Sequence, residues 1–405
     1  MRRINRSTDI QLPAHLRERL AQGHPWVYRN HIAVVPRLES GSWVRVQCGG
    51  WSGIGSWDAD GPIAIRLFAA QQPPDAAWLA ARVREAWELR APLRHAGCTA
   101  YRWLFGEGDG LPGMTVDRYG DYAVMRTYGG GAARLAPQIA EALMACDPAL
   151  SGVVRRIDAD ATDATDDDMP GDSSLAVLAG NPPPQRIDVV EYDMQFAVDL
   201  RIGQKTGLFL DHRENRRLIE QFSADRSVLN CFAYTGAFSL YALRGGARSV
   251  VSVDIGKGLA AATAANIALN RLDAGRHRFI TEDCFTLLNR FAEEGKRFDM
   301  LILDPPSFAR SRQSRYAAQR AYVKLNALAL RCVVPGGLLA TASCTSQIGP
   351  EEFKEAIAAA GAVSGRRLQI IHEAGQPLDH PVPAHFPEGR YLKFVIGRVL
   401  AESRS

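Results

Sequence analysis

The sequence has little of what marks a membrane, secreted or metal-binding protein. No stretch approaches about 18 uninterrupted apolar residues, so we expect no membrane span. The N-terminus, MRRINRSTDI, carries arginines but no apolar core, which argues against a secretory signal. The 7 cysteines are scattered, with no CxxC pair and no Cys/His cluster, so neither a zinc site nor a disulfide framework is expected. Together these absences predict a cytoplasmic protein with free thiols and no metal.

Strong net charge is also lacking. The formal charge is only +4 over 405 residues, which permits a polyanionic partner without requiring one, because the total hides where the charge lies. Domains usually take about 100–200 residues, so the length predicts two or three of them.

The N-terminal region, residues 1–75, has the pattern of a small β-rich module. Apolar and polar residues alternate at 43–46 and 63–67, and glycines punctuate the segments between. Period-two alternation with frequent turn residues is typical of short strands.

Residues 76–200 are predicted to form a helical linker and a small α+β domain. An apolar stripe predicts a helix over 76–96, and further patterns predict a helix near 134–145 and a strand near 152–157. The run at 158–172 holds seven aspartates and no basic residue. Such a run cannot bury itself, so we expect a solvated loop. The alternative is an acidic element that masks a basic surface.

From residue 201 to 405 strand-like and helix-like segments alternate. The predicted strands are 228–230, 250–254, 279–281, 299–304 and 338–343, and the helices between and after them are 236–244, 257–270, 285–294, 315–333 and 351–361. Two more strand-like runs, 368–372 and 391–395, close the region. This alternation implies right-handed crossovers and a doubly wound, mostly parallel α/β sheet.

Polar residues follow four of the predicted strands, where an open α/β sheet binds its ligand. Asn230 begins the run NCFAYTG that ends in Gly236, Asp254 ends the second strand, and Asp283 and Asp304 follow the third and fourth. The first turn lacks the G-x-G-x-x-G pattern that cradles a pyrophosphate, and no Walker-type GKS or GKT occurs. A single-glycine loop with a ribose-binding acid fits S-adenosylmethionine (SAM), which has no phosphate.

The segment 305–350 contains no acidic residue. Its basic side chains are Arg310, Arg312, Arg315, Arg320, Lys324 and Arg331. Phe308, Tyr316 and Tyr322 are interleaved with them, so the segment is a candidate RNA surface on which bases could stack. The alternative is an ordinary solvated face.

Several motifs resemble the large-subunit ribosomal RNA cytosine-5 methyltransferase I family. They cover nearly the whole chain: HPWVYRN at 24–30, GEGDGLPGMTVDRYGD at 106–121, GQKTGLFLDHRENRR at 203–217, VLNCFAYTGAFSLYALRGGARSVVSVD at 228–254, DPPSF at 304–308, SCT at 343–345 and DHPVPAHFPEGRYLK at 379–393. The acidic run 158–172 looks like an insertion. CTSQI after Ser343 also departs from the family pattern, in which a serine follows the cysteine.

The resemblance implies a PUA-like RNA-binding module, a middle domain and a seven-stranded class I methyltransferase domain. It also implies SAM as cofactor and large-subunit ribosomal RNA as partner. The implied cofactor-binding residues are Gln204, Lys205, Thr206, Asn230, Cys231, Phe232, Gly236, Asp254, Asp283, Cys284 and Asp304. The oligomeric state stays open, a homodimer included.

Cys344 follows the fifth strand and is the candidate nucleophile. Cytosine C5 is a poor nucleophile, so its methylation needs a thiolate that first adds to C6. Asp304 is the second candidate catalytic residue, placed to bind the polar edge of the base. Two alternatives remain: an N-methyltransferase that acts on a guanine or adenine of ribosomal RNA, for which Cys344 would be incidental, and an RNA-binding protein without catalysis.

Overall fold

The computed structural model describes residues 8–157, 174–201, 207–308 and 314–400. The predicted acidic loop at 158–172 therefore lies outside the described residues. The described chain forms two compact units. The first comprises the described residues of Met1–Tyr192, Val198–Leu210 and Leu378–Gly389, and the second those of Asp193–Ala197, Asp211–Pro377 and Arg390–Ser405.

The first unit begins with a five-stranded sheet in the order β1-β3-β4-β5-β2. Its elements are β1 (Thr8–Gln11), α1 (Arg17–Ala21), β2 (Trp26–Tyr28), β3 (Trp43–Cys48), β4 (Trp51–Trp57) and β5 (Ile63–Phe68). The alternation in β3 places Val44 and Val46 in the core while their neighbours stay half-buried, because successive side chains point to opposite faces. The predicted β-rich module is confirmed.

A second five-stranded sheet follows, in the order β10-β9-β8-β7-β6. Its elements are α2 (Ala76–Leu89), α3 (Ala91–His95), β6 (Ala100–Phe105), β7 (Met114–Tyr119), β8 (Tyr122–Thr127), α4 (Gly130–Cys146), β9 (Gly152–Ile157) and β10 (Ser174–Gly180). The helix predicted over 76–96 is two helices that meet at Arg90, since Pro92 has no N–H to continue the hydrogen bonds of α2 and is tolerated in the first turn of α3. Strand β10 was not predicted, because it is a half-exposed edge strand with no clean alternation.

Two further strands, β11 (Ile187–Glu191) and β12 (Met194–Val198), lie where the chain passes from the first unit to the second. Short 3-10 helices occur at Ala14–Leu16, Arg29–His31, Gly106–Asp109, Leu210–His212, Ala274–Arg276 and Pro387–Gly389.

The second unit holds a seven-stranded sheet in the order β15-β14-β13-β16-β17-β19-β18. Its elements are α5 (Arg213–Gln221), β13 (Ser227–Cys231), α6 (Ala237–Arg244), β14 (Ser249–Asp254), α7 (Leu259–Leu269), β15 (His277–Thr281), α8 (Cys284–Glu293), β16 (Phe298–Leu303), α9 (Arg315–Arg331), β17 (Val333–Ser343), α10 (Pro350–Ser364), β18 (Leu368–Ala374) and β19 (Lys393–Val399). The predicted doubly wound α/β sheet is confirmed.

The order of the strands positions the site. Strands β13 to β17 are parallel, and β19 runs antiparallel to both β17 and β18. From β13 the chain first adds β14 and β15 on one side and then returns to add β16 and β17 on the other. The strand order therefore reverses beside β13, and a ligand crevice is expected outside the carboxyl ends at this point.

The division into compact units differs in one respect from the predicted domains 1–75, 76–200 and 201–405. Residues 378–389 belong to the first unit, although they follow twelve strands and helices of the second. Within the first unit Arg90 donates 2.8 Å hydrogen bonds to the carbonyl of Asp379 and to Asp109, which accounts for the assignment. The three-domain division stays a prediction.

Candidate cofactor and active site

The polar residues predicted for the site follow the carboxyl ends of neighbouring strands in the second unit. Asp254 ends β14, Asp283 follows β15, Asp304 follows β16 and Cys344 follows β17. These four strands are parallel and belong to one sheet. Their carboxyl ends, and the groups that follow them, therefore lie at the same end of the strands.

Asp254 is held by the backbone. Its Oδ2 accepts the N–H of Tyr234 and its Oδ1 accepts the N–H of Gly256, both at 2.9 Å. Each carboxylate oxygen can accept further hydrogen bonds. The carboxylate is thus fixed in one orientation with acceptor capacity left, which suits the two hydroxyls of a ribose.

The loop after β13 has an unusual backbone. Phe232 and Tyr234 have φ values of 59° and 48°, and Gly236 has a φ of 81°. Such values are unfavourable for residues other than glycine, and they cluster at ligand sites where the surroundings impose them. At Gly236 a Cβ would lie 2.5 Å from the Thr263 side chain, so only glycine fits there.

The side-chain amide of Asn230 is buried and hydrogen-bonded within the protein. Its Nδ2 donates to Ser239 Oγ at 2.9 Å, Ser239 Oγ lies 2.7 Å from Ser252 Oγ, and Ser252 Oγ lies 2.8 Å from His277 Nε2. The amide therefore belongs to a buried polar chain beneath the sheet edge. Burial lowers the pKa of His277 to about 4, so this imidazole is neutral at neutral pH.

Cys231 and Cys284 are both buried, and their thiols face each other. The hydrogen bond to Cys284, and then burial, raise the pKa of Cys231. The thiol of Cys284 accepts the N–H of Phe232 at 3.3 Å. Both cysteines thus support the loop after β13 from below, and any contact they make with a cofactor is through their backbone.

Asp283 caps helix α8. Its Oδ1 accepts both the N–H and the hydroxyl of Thr286 at 2.9 Å. This is an ordinary N-cap role. The carboxyl is exposed, so the proposed contact with the adenine amino group uses the remaining oxygen.

Asp304 has a partner that the sequence prediction missed. His212 Nε2 lies 3.1 Å from Asp304 Oδ1, and the ring is buried. On its other side, His212 Nδ1 lies 2.9 Å from the Asn215 amide nitrogen. An amide nitrogen only donates, so Nδ1 accepts and the neutral ring carries its proton on Nε2, toward Asp304. His212 lies in the motif DHRENRR, at 211–217. Nothing in the sequence spacing indicated that this motif contacts DPPSF, at 304–308.

Cys344 lies directly beside the DPPSF segment. Its Sγ is 3.7 Å from the carbonyl oxygen of Pro305, and the residue is only half-buried. The buried ammonium of Lys393 donates to the carbonyls of Thr345 and Tyr391. The structure therefore brings the two predicted catalytic residues, Asp304 and Cys344, to adjacent loops and adds a cation that was not predicted.

Several predicted site residues fall outside the described residues: Gln204, Lys205, Thr206, Arg310 and Arg312. For the others in the basic segment, the structure separates two groups. Arg315 forms an ion pair with Glu352. Arg320 and Lys324 are exposed on α9, and with Arg331 they border a groove of about 410 Å³ floored by Val323, Ala327, Leu328 and Val363.

The predicted stacking role of the aromatic residues in this segment needs a correction. Tyr322 is fully buried, with its ring centroid 4.9 Å from Phe308 and 5.4 Å from Phe353. Tyr322 is therefore a core residue between α9 and α10, and the half-buried Phe308 packs against it. Tyr316, with 74% of its surface exposed, remains open for stacking.

None of the helices in the described ranges is long and apolar enough to cross a bilayer. Among the same residues there is no group of three or more His, Cys, Asp or Glu side chains that could hold a metal ion.

The sheet order, the backbone-held Asp254 and the strained single-glycine loop fit a nucleoside without a pyrophosphate, and they define a SAM-dependent methyltransferase. A family described as S-adenosylmethionine-dependent methyltransferase matches residues 165–381, and a PUA-like domain matches residues 10–70. The chain belongs to the ribosomal RNA large subunit methyltransferase I family. Relatives of that name are 37% identical over 396 residues in Shewanella denitrificans, covering 95% of this chain and 97% of the relative, and 35% identical over 398 residues in Aeromonas salmonicida, covering 97% and 99%.

Solved structures support the fold. A protein from Streptococcus mutans described as a SAM-dependent methyltransferase superposes with a TM-score of 0.84 at 22% identity, over 96% of this chain and 100% of that one. A methyltransferase complexed with SAH gives the same TM-score at 23% identity and the same coverage.

Proposed function

We propose that this enzyme methylates C5 of a cytosine in large-subunit ribosomal RNA, with Cys344 as the nucleophile. The RNA substrate follows from family membership, since the curated relatives are named for it. The observation that carries the choice of atom is the position of the Cys344 thiol, 3.7 Å from the Pro305 carbonyl and next to Asp304. A half-buried thiol at the mouth of the site is what C5 chemistry needs and what amine methylation does not use.

The cofactor is held by residues of the strand ends. Asp254 binds the ribose, the backbone of 231–236 lies along the methionine end, and Asp283 binds the adenine amino group. Gln204, Lys205 and Thr206, which lie outside the described residues, are further proposed cofactor ligands. When bound, SAM supplies the methyl group.

Cys344 begins the reaction. Its thiolate adds to C6 of the cytosine, which forms the S–C6 bond and moves the electron pair of the C5–C6 double bond to C5. C5 then takes the methyl group that SAM would supply, whose bond to the sulfonium sulfur breaks and leaves S-adenosylhomocysteine, and a base removes the C5 proton. The electron pair of the C5–H bond restores the double bond as the S–C6 bond breaks, which returns the thiolate. The target base must leave its stack to reach the site.

Asp304 orients the base. Its carboxyl binds the polar edge of the cytosine and favours the protonated adduct at N3. The ring of His212 flanks that carboxyl, with its Nε2 3.1 Å from Asp304 Oδ1, and the other oxygen is left for the base. An amine methyltransferase would use the same Asp-Pro-Pro turn to hold an exocyclic amino group directly, which is the second candidate function.

The test is Cys344→Ala, assayed on ribosomal RNA with mass mapping of the modified nucleotide. SAM binding should persist, and methylation should fall by several orders of magnitude. RNA that contains 5-fluorocytosine should trap a covalent adduct with the wild type, because fluorine cannot leave as the proton does, and no adduct with the variant. Cys146→Ala is the matched control, since it removes the other half-buried thiol. Substantial methylation by Cys344→Ala would favour the amine methyltransferase.

A further inference from the structure

We propose that Lys393 is a positioning residue for Cys344: its ammonium fixes the loop that carries the thiol and favours the thiolate form. The inference rests on the proposed role of Cys344 as nucleophile.

The pairing of two strands brings these residues together. β19 runs antiparallel to β17, and Lys393 is paired with Ser343, the residue before Cys344. The side chain then extends past Cys344 to donate to the carbonyl of Thr345. A second hydrogen bond of 2.8 Å goes to the carbonyl of Tyr391. One ammonium therefore joins the chain that leaves β17 to the chain that enters β19, with Cys344 on the first of them.

The ammonium is buried at a cost that an ordinary structural lysine avoids. Only 5% of Lys393 is exposed. Burial lowers its pKa to about 8, and the electrostatic interaction with Cys344 opposes that effect. At pH 7, one unit lower, the protonated form still exceeds the neutral form by roughly ten to one. Cys344 therefore interacts with a poorly solvated cation, and the attraction between opposite charges is strong in such surroundings.

Two carboxylates, Asp304 and Asp211, also lie near Lys393 and Cys344. Asp304 follows β16 next to Pro305, and its negative charge opposes a thiolate, but it faces His212. Asp211 accepts the hydroxyl of Tyr391 at 2.7 Å. The ammonium of Lys393 interacts electrostatically with Cys344. Arg315, on the helix that precedes β17, is paired with Glu352.

The experiment measures the ionisation of Cys344 directly. Wild type, Lys393→Met and Lys393→Arg are alkylated with iodoacetamide from pH 5 to pH 10, and each cysteine is followed by peptide mass spectrometry. A neighbouring opposite charge shifts a pKa by about 1–3 units. We expect the midpoint for Cys344 to rise by at least about one pH unit in Lys393→Met and to stay near the wild-type value in Lys393→Arg. The rate at pH 7 changes less than the midpoint, because a more basic thiolate is also more nucleophilic.

Cys146 is the internal control, since it is the other half-buried cysteine and lies in the first unit. Its midpoint should not move in any variant. The methylation pH profile should shift in parallel, with Lys393→Met regaining activity at higher pH, which a purely structural defect would not do. If Lys393→Met fails to fold, the wild type decides: a Cys344 midpoint at or above the ordinary thiol value of about 8.5 overturns the inference.

The outcome separates this inference from the proposed function. An unchanged Cys344 midpoint in folded Lys393→Met, together with loss of methylation in Cys344→Ala, refutes the role of Lys393 alone. Full methylation by Cys344→Ala refutes the thiol mechanism, whatever the alkylation midpoints are.

Discussion

Replacement of Asp254 tests the cofactor site most directly. In Asp254→Ala the ribose loses a charged acceptor, and a hydrogen bond to a charged group is worth about 1.5–3 kcal/mol. Even one such bond therefore weakens SAM binding roughly 10- to 150-fold. The N–H groups of Tyr234 and Gly256 also lose their acceptor, which releases a loop whose φ values are unfavourable without support. The loss should lie at the upper end of that range.

Asp254→Asn sharpens the test. Both carboxylate oxygens accept a backbone N–H, but asparagine has one oxygen, so its amide N–H₂ must face a second donor. We expect this near-isosteric change to weaken SAM almost as much as alanine does. Titration calorimetry with SAM gives the affinities. The control is Asp273→Ala, because Asp273 accepts the Gly275 N–H at 2.9 Å in the loop before β15, at the opposite edge of the sheet. Wild-type affinity in Asp254→Asn would refute the geometric argument.

Two other predictions concern RNA binding and stability. Arg320→Ala with Lys324→Ala should weaken RNA binding and lower its salt dependence by about 0.7–0.9 in slope per lost phosphate contact, with unchanged SAM affinity; a slope equal to that of the wild type would make this basic face an ordinary solvated one. Because His277 has a pKa of about 4 in the folded chain and an ordinary value of 6.5, only the unfolded chain takes up its proton between these values, so stability falls as the pH drops from 6.5 to 4. With partial exposure the loss is about 1–2 kcal/mol. Urea unfolding of His277→Gln should show a flatter dependence over this window, and equal slopes for variant and wild type would contradict the assignment.

The apolar strands of the second unit could be predicted because their signal is local. Runs such as 299–303 are long enough to be buried on both faces, and each is followed by a polar residue at the sheet edge. The positions of Asp254, Asp304 and Cys344 followed from that rule alone. The edge strand β10 escaped prediction because a half-exposed edge imposes no such pattern.

The direction in which a side chain points depends on the residues that pack against it. The sequence predicted these directions less well than it predicted the strands. Asn230 stands at a strand end, but it turns toward Ser239 on α6. Tyr322 sits among basic residues, yet it packs between Phe308 and Phe353. The partners of Asp304 and Cys344, His212 and Lys393, lie far from them in sequence. Only the completed sheet makes those pairs.

The antiparallel strand β19 also determines when, during synthesis, the Cys344 thiol is joined by Lys393. Cys344 leaves the ribosome about fifty residues before Lys393 and the strand that carries it. During synthesis the parallel strands can assemble around β13 while the cysteine still has neither the ammonium nor the backbone clamp that Lys393 provides. On the role proposed for Lys393, the Cys344 thiol gains its activation only when the antiparallel pair closes. Until then, oxidants and stray electrophiles meet a thiol without that activation.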